Sequence, residues 1–297
     1  MVQSKIVIAL IGSLAVDACC AQNLRGMVDI HVHSDPDSVP RSIDAFGAAR
    51  AAAERGVRSI VLKNHYEPTA GLAWLARKQI PGIEIFGGIA LNRSVGGVNP
   101  AAVDRMTKVK GGFGKVVWMP TFDAENQVRF SKESRPFVAV SRNGALLPEV
   151  KEVLDLIAKN NLVLATGHST PAESLMMIRE AKARGVKHIV VTHPAIDPVR
   201  MSTAQMKVAA GLGAYLEFVT NAVIGNSALY KPAEYAAMIR AAGPEFSILS
   251  SDLGQAGNPL HCDGLEQMFA LLRQNGFSVY EIEKMAKTNP AKLLGLE

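Results

Sequence analysis

The segment Met27-Val28-Asp29-Ile30-His31-Val32-His33 decides the fold class that this sequence predicts. Its apolar residues alternate with polar ones, as in a β-strand, and it ends on two histidines separated by one valine. Side chains two residues apart on a strand point to the same face, so His31 and His33 are expected to reach one spot, with Asp29 on the same face. Such a pair at a strand end indicates a metal site.

Further apolar runs rich in valine and isoleucine recur along the chain. The eight predicted strands are 28–33, 57–63, 83–89, 115–119, 162–166, 188–192, 214–219 and 246–251. Segments of helical period lie between them, at 43–55, 148–159, 171–184, 203–212 and 232–242. Strands that alternate with helices imply parallel pairing through crossovers. Eight such units predict an α/β fold of the (β/α)8 TIM-barrel class.

Glycines and one long loop mark the predicted boundaries. Gly56, Gly185 and Gly213 each lie between a helical segment and the following strand, where a left-handed C-terminal cap is expected. The longest irregular stretch runs from residue 120 to 147. Because it follows the fourth strand, it is predicted to lie on the catalytic face of the barrel.

The composition fits one globular domain. The chain has 297 residues, of which 48% are hydrophobic and 20% are charged, so residues 25–297 are predicted to form a single barrel domain. The formal net charge is +5, but no basic block is long enough to indicate nucleic-acid binding. A small-molecule substrate is expected, and homo-oligomerisation is left open. The positive charge is explained either by plain solubility, which is favoured, or by an anionic substrate.

Residues 1–24 differ from the rest of the chain. Lys5 precedes an apolar run from Ile6 to Val16, and small residues follow at 18–21, which is the pattern of a signal peptide ending near residue 22. The sequence therefore favours a periplasmic or secreted protein; the alternative is an N-terminal extension of a cytoplasmic one. The run is shorter than the ~20 apolar residues of a membrane-spanning helix, so no integral membrane segment is predicted.

Further polar residues follow later predicted strands. His168 comes after the fifth strand, His193 after the sixth and Asp252 after the eighth. In a (β/α)8 barrel the C-terminal ends of the strands meet at one face, so these residues are expected to join His31 and His33. Imidazole and carboxylate ligands suit zinc, and also iron, manganese or nickel. The sequence thus predicts a divalent metal centre, with zinc as the leading candidate.

With this set of residues, the chain resembles the amidohydrolase superfamily of metal-dependent hydrolases. The resemblance covers nearly all of residues 27–297, and the ending Thr288-Asn289-Pro290-Ala291-Lys292-Leu293-Leu294-Gly295-Leu296 looks like the closing helix of that superfamily. More narrowly, Lys63-Asn64-His65-Tyr66, the stretch 86–92 and Trp118-Met119-Pro120-Thr121 resemble an uncharacterised bacterial branch of it. The resemblance implies a metal-dependent hydrolase without a named substrate.

One departure from the superfamily concerns the number of ions. Many binuclear members carry a carboxylated lysine at the end of strand four, whereas this chain has Trp118-Met119-Pro120 there. One hypothesis is a mononuclear site held by His31, His33, His168 and Asp252, with His193 as a further ligand or hydrogen-bond donor. The other is that Lys63, after the second strand, supplies the bridge with support from His65. The single ion is favoured.

The expected chemistry is activation of water. A divalent ion lowers the pKa of bound water towards ~7. Asp252 is expected to take a proton from that water and deliver it to the leaving group. His193 or Lys63 is predicted to help polarise the carbonyl or phosphoryl oxygen as charge develops on it.

Other residues are predicted to contact the substrate or to support the site. Arg93, in the loop after the third strand, can bind a carboxylate or phosphate through its planar fork. Three residues near strand ends are expected to line the pocket: His65, Tyr66 and Trp118. Glu217, within the seventh strand, needs a buried partner, for which Lys63 or a ligating histidine is predicted. His188 and His261 are not expected to bind metal.

Three functions are weighed at this point. The first is hydrolysis of an amide, a lactone or other ester, or a phosphoester in a small molecule. The second is metal-dependent decarboxylation on the same barrel, which would release carbon dioxide without consuming water. The third is a non-catalytic barrel that binds metal or ligand. Asp252 argues against the third, because a binding protein has no need of a proton shuttle.

Overall fold

The computed structural model describes residues 24–226 and 228–297, so the predicted signal peptide at 1–22 lies outside the described residues. Eight strands form one parallel sheet in which each strand pairs with the next along the chain. They are β1 (Val28–Val32), β2 (Ser59–Leu62), β3 (Glu84–Ala90), β4 (Gly114–Trp118), β5 (Val163–Ala165), β6 (His188–Val191), β7 (Tyr215–Val219) and β8 (Ser247–Ser250). All eight predicted strands are confirmed.

The sheet closes into a barrel where its last strand returns to its first. The backbone N–H of Asp252 donates to the carbonyl of His31 at 2.9 Å, and the N–H of His33 donates to the carbonyl of Leu253 at 2.9 Å. Val32 and Leu253 form a parallel bridge between these bonds. The (β/α)8 architecture is therefore confirmed, and its seam runs past the predicted metal ligands.

Helices connect the strands on the outside of the barrel. The helices of the described residues are α1 (Ala45–Glu54), α2 (Ala70–Gln79), α3 (Pro100–Thr107), α4 (Glu125–Phe130), α5 (Pro148–Lys159), α6 (Pro171–Ala183), α7 (Thr203–Gly211), α8 (Pro232–Ala242), α9 (His261–Gln274), α10 (Val279–Glu283) and α11 (Asn289–Leu294). The five predicted helical segments correspond to α1 and to α5 through α8. Capping boxes at Thr170 and Ser202 begin α6 and α7.

The sequence predicts that the segment 120–147 is irregular, but part of it forms regular structure. It contains α4 and a short hairpin whose strands are Ser141–Arg142 and Ala145–Leu146. Glu125 and Arg129 form an ion pair one turn apart in α4, with Oε1 and Nη2 separated by 2.6 Å. The short length of these elements explains why no hydrophobic period reveals them.

Two apolar layers pack against the strands. An inner cluster, which includes Val28, Ile30 and Trp118, fills the barrel, and an outer one lies between the strands and the helices. Residues of α11, among them Leu293 and Leu294, belong to the inner cluster. Gly295 at the end of α11 lies beside His188, at the start of β6, so the closing helix covers the amino-terminal end of the barrel.

Three glycines lie in the left-handed conformation directly after a helix. Gly56, Gly185 and Gly213 have φ angles of 71°, 81° and 85°, so the left-handed caps are confirmed. Among the described residues, no helix is long and apolar enough to cross a membrane.

Candidate metal centre

His31 points into the barrel at a place where the pairing of β1 with β2 is irregular. The register between β1 and β2 shifts between Asp29 and Val32. Ile30 belongs to the inner cluster, and His31 follows it on the same side, 6.4 Å from the ring of Trp118. The alternation predicts that Asp29 lies beside the histidines, and this prediction is wrong. Instead, Oδ1 of Asp29 accepts the backbone N–H groups of His31 and Ser251, at 3.2 and 3.0 Å.

The buried carboxylate of Glu217, in β7, fixes the orientation of the His31 ring. Nδ1 of His31 lies 3.0 Å from Oε1 of Glu217, and the same oxygen accepts the hydroxyl of Ser250 at 2.8 Å. Burial would raise the pKa of Glu217, but the charge and hydrogen bond of His31 lower it. Glu217 thus pairs with a histidine, one of the two predicted partners. An Nδ1–H donated to this carboxylate leaves Nε2 turned towards the site, as in metal-binding histidines.

Asp252 brings His31 and His33 together at the end of β1. Its Oδ1 lies 3.0 Å from Nε2 of His31 and 3.0 Å from Nε2 of His33. One ligand atom from each of these three buried residues lies within 4.8 Å of the others. Burial would raise the pKa of Asp252, but the charge of His31 and the hydrogen bonds from both histidines hold it well below its usual range. The carboxylate is therefore ionised and available as a ligand or base.

The backbone after β8 adopts a special conformation to place Asp252. Asp252 itself has a φ of 49°, in the left-handed region that few non-glycine residues occupy. Gly254 has a φ of 127°, and a Cβ atom on it would lie 2.1 Å from the carbonyl oxygen of His33. Only glycine fits this close approach.

His168 and His193 form a second pair beside the first group. Their Nε2 atoms are 3.2 Å apart, and the ring of His193 stacks 6.2 Å from that of His31. Burial lowers the pKa of both histidines, that of His193 to about 4, so both rings are neutral. Nδ1 of His168 lies 2.8 Å from Oε1 of Gln127 in α4, which directs Nε2 towards His193. Sequence reasoning missed Gln127.

Lys63, the residue that follows β2, lies in the centre of this group. Its Nζ is 2.8 Å from Nε2 of His31 and 5.6 Å from the centroid of the Trp118 ring. The side chain is buried, and burial lowers its pKa to about 8. Trp118 is the last residue of β4 and lies inside the barrel next to Lys63. The end of β4 therefore offers no lysine or carboxylate that could bridge two ions.

His65 extends the centre towards the loops after β3 and β4. Its ring stacks 5.0 Å from that of His33 and 3.6 Å from that of Phe122. Its Nδ1 lies 2.9 Å from Oγ1 of Thr121, and Asn92 donates to the same oxygen at 2.7 Å and to the carbonyl of His65 at 2.6 Å. Thr121 and Asn92 were also missed, because each is an ordinary loop residue in the sequence.

The remaining predicted residues lie at the mouth of the site or away from it. Arg93 and Tyr66 line an open cavity of about 630 Å³ together with Phe122 and Gln127. Two further histidines stay outside the group: His188 begins β6 at the opposite end of the barrel, and His261 is the buried first residue of α9.

The residues present fit a divalent metal ion. Imidazole nitrogens and a carboxylate oxygen converge, which is a donor set typical of zinc and related ions. Burial would lower the pKa of His31, but Asp252 and Glu217 raise it to about 9. The two buried carboxylates thus favour a positive charge at the point where His31, His33 and Asp252 meet.

The fold and this group define a (β/α)8 barrel with a candidate metal centre at the carboxyl ends of its strands. A family model described as "Family of unknown function (DUF6282)" matches residues 26–217, and the chain belongs to that family. No curated protein sequence matches the chain.

Solved structures share the fold at low sequence identity. An amidohydrolase from Pseudomonas aeruginosa is 12% identical, with a TM-score of 0.63 over 92% of this chain and 96% of that one. The organophosphorus hydrolase from Deinococcus radiodurans is 16% identical, with a TM-score of 0.59 over 93% and 94%. A protein engineered for organophosphate hydrolysis from a weak promiscuous lactonase template is 16% identical, with a TM-score of 0.61 over 93% and 97%. The predicted resemblance to amidohydrolase-type barrels is confirmed for the fold.

Proposed function

We propose that this protein is a metal-dependent hydrolase that cleaves an amide, lactone or phosphoester bond in a small, anionic molecule. The observation that carries the proposal is the convergence of His31, His33 and Asp252 at the seam of the barrel, with a buried carboxylate behind His31. The names of the similar barrels, which include an amidohydrolase and an organophosphorus hydrolase, support this class of reaction.

His31, His33 and Asp252 would hold the ion, with His168 and His193 as further ligands or hydrogen-bond donors. A divalent cation supplies hydroxide near neutral pH and polarises the oxygen of the bond to be cleaved. Zinc is the favoured ion because the set is dominated by imidazole nitrogens. One ion is favoured over two, since Trp118 at the end of β4 offers no bridging group. A carboxylated Lys63 is the alternative that would bring a second ion.

The protein side chains perform the proton transfers and hold the reacting groups. Asp252 is ionised and buried, so it can accept a proton from the attacking water and return it to the leaving group. Lys63 places a positive charge beside His31, where it can stabilise an oxyanion. Glu217 and Gln127 bond to the outer nitrogens of His31 and His168 and keep their Nε2 atoms turned inward.

The test is the Asp252→Asn variant, assayed against a panel of amides and lactones that carry a free carboxylate and of phosphodiesters. Asparagine retains the shape but cannot accept a proton, so hydrolysis should fall ~10²- to 10⁴-fold. Asp155→Asn, on the exposed face of α5, is the matched control and should keep full activity. Unchanged metal content together with unchanged activity in Asp252→Asn would show the proposal to be wrong. Release of carbon dioxide without hydrolysis would replace it by decarboxylation.

A further inference from the structure

The ring of His65 lies over the middle of the barrel mouth. Its centroid is 5.0 Å from that of His33, directly after β1, and 6.2 Å from that of His168, after β5. β1 and β5 lie on opposite sides of an eight-stranded barrel, so a ring that contacts both residues lies between the two sides. Phe122 stacks on His65 and also lines the open cavity at the mouth. The cavity therefore adjoins the centre at these two rings.

The side-chain amide of Asn92, after β3, has a defined orientation. Its Oδ1 accepts the backbone N–H groups of Thr121 and Asp123, at 2.9 and 3.0 Å. The amino group therefore faces the other way, where Nδ2 donates to the carbonyl of His65 at 2.6 Å and to Oγ1 of Thr121 at 2.7 Å. An amide nitrogen donates but does not accept, so the Thr121 hydroxyl is the acceptor in its bond with Asn92.

The hydrogen of the Thr121 hydroxyl then has one available acceptor. Thr121 is fully buried, and among the described residues its Oγ1 bonds to Asn92 and His65 only. Because Asn92 donates to it, the hydroxyl must donate to Nδ1 of His65, which lies 2.9 Å away. A hydrogen on this Nδ1 would leave the buried hydroxyl without an acceptor. Nδ1 of His65 is therefore bare, and Nε2 carries the hydrogen of the neutral ring.

His31 and His168 have the opposite tautomer. Nδ1 of His31 faces the carboxylate of Glu217, and Nδ1 of His168 faces Oε1 of Gln127. Both of these oxygens only accept, so Nδ1 carries the hydrogen and Nε2 keeps its lone pair for a metal. Nε2 of His65 has no free lone pair. Its partners thus suit His65 to donate a hydrogen bond rather than to bind an ion.

The Nε2–H group of His65 is an unused donor at the mouth of the centre. It has no hydrogen-bond partner among the described residues, and it is not shut off from solvent as Nδ1 of His33 and Nδ1 of His193 are. An oxygen of a bound molecule can therefore reach it. A donor held in place by the protein stabilises negative charge that develops on such an oxygen.

We propose that His65 donates from Nε2 to an oxygen of the substrate and does not bind the metal, and that Thr121 and Asn92 are positioning residues that fix its tautomer. The substrate contact rests on the proposed hydrolase function, but the tautomer does not. The sequence leaves both roles open for His65, and the hydrogen bonds of Thr121 and Asn92 favour one of them. The matching substrate presents a carbonyl, carboxylate or phosphoryl oxygen to this donor.

Nitrogen-15 NMR of the histidine side chains in zinc-loaded protein reads the tautomer. The signals of His65 are identified by their loss in His65→Gln. His65 should carry hydrogen on Nε2 and none on Nδ1, and His168 should carry it on Nδ1. A hydrogen on Nδ1 of His65, or a zinc-bound Nε2, would overturn the proposal. Zinc content, measured first on every sample, reports on the proposed function separately.

Two variants of Thr121 test its positioning role. Thr121→Val keeps the shape but removes the hydroxyl, so His65 should become a mixture of both tautomers while zinc affinity stays that of the wild type. Thr121→Ser restores the hydroxyl and should restore the single tautomer. Thr107→Val, at the end of α3, is the matched control. If Thr121→Val leaves the tautomer unchanged, or if Thr121→Ser fails to restore it, Thr121 is not a positioning residue.

Inorganic phosphate tests the substrate contact. In calorimetric titrations of zinc-loaded protein, His65→Leu should bind phosphate ~10-fold more weakly than the wild type, as expected for loss of a hydrogen bond to a charged acceptor. His65→Gln retains an N–H donor and should recover most of the affinity, and His188→Leu, at the opposite end of the barrel, should keep all of it. No phosphate binding by the wild type, equal binding by His65→Leu, or loss of zinc in His65→Leu would contradict the proposal.

Discussion

Two sides of the candidate centre are held by different physical means. His31 and His33 lie at the barrel seam, where backbone bonds between β1 and the end of β8 and two ionised, buried carboxylates fix them. His65 and His168 are instead held by neutral groups, Thr121 and Gln127, from the loop region after β4. We call these the seam side and the loop side. The charges lie on the seam side, so the metal should depend on it most.

The largest effect is expected from a seam-side ligand. His31→Asn removes a donor that faces Asp252 and Lys63, and zinc affinity should fall by well over ~100-fold, more than for loss of an outer-shell partner. Competition with a fluorescent zinc chelator measures it. His188→Asn, at the opposite end of the barrel, serves as the control. Equal affinities in the two variants would show that the seam side does not bind the ion.

The seam should also be sensitive to the backbone of Gly254. A Cβ on this residue would lie 2.1 Å from the carbonyl oxygen of His33. Gly254→Ala should therefore destabilise the fold by ~3 kcal/mol or more, measured by urea unfolding. Gly71→Ala, in α2 where a Cβ has nothing within 4 Å, should raise stability by about 0.5–1 kcal/mol. If both substitutions act alike, the close approach at the seam is not a constraint.

Glu217 tests the support behind the seam-side ligand. Glu217→Gln keeps the volume but removes the charge that orders Nδ1 of His31, so zinc affinity should fall ~10- to 100-fold. The same competition assay applies, with Glu234→Gln on exposed α8 as the matched control. An unchanged affinity would show that Glu217 contributes to packing alone.

The smallest effect is expected on the loop side. Gln127→Met removes the acceptor at Nδ1 of His168, and zinc affinity should fall by about 10-fold, the lower end for an outer-shell partner. Gln127→Glu restores an acceptor and should restore affinity, which a purely structural defect would not allow. A loss larger than that of Glu217→Gln would reverse the order of the two sides.

The sequence predicts the seam side far better than the loop side. Alternating apolar residues locate strand ends, and in a barrel those ends meet, so His31, His33 and Asp252 follow from periodicity and topology alone. The register shift in β1 does not follow, and with it Asp29 leaves the expected face. A register shift leaves no mark in a hydrophobic pattern, because it depends on how two strands pair.

The loop side could not be predicted for a related reason. Gln127 and Thr121 reach the centre through α4 and its flanking turns, whose path no periodicity encodes. Their contacts with His168 and His65 exist only once the barrel has closed.

The central claim, a one-ion centre on the seam side, is tested most directly by anomalous diffraction at the zinc edge from crystals of the metal-loaded protein. The account predicts one peak per chain, within bonding distance of Nε2 of His31, Nε2 of His33 and a carboxylate oxygen of Asp252, with Lys63 as a bare amine. A peak elsewhere, no peak, or two ions bridged by a carboxylated Lys63 would contradict it.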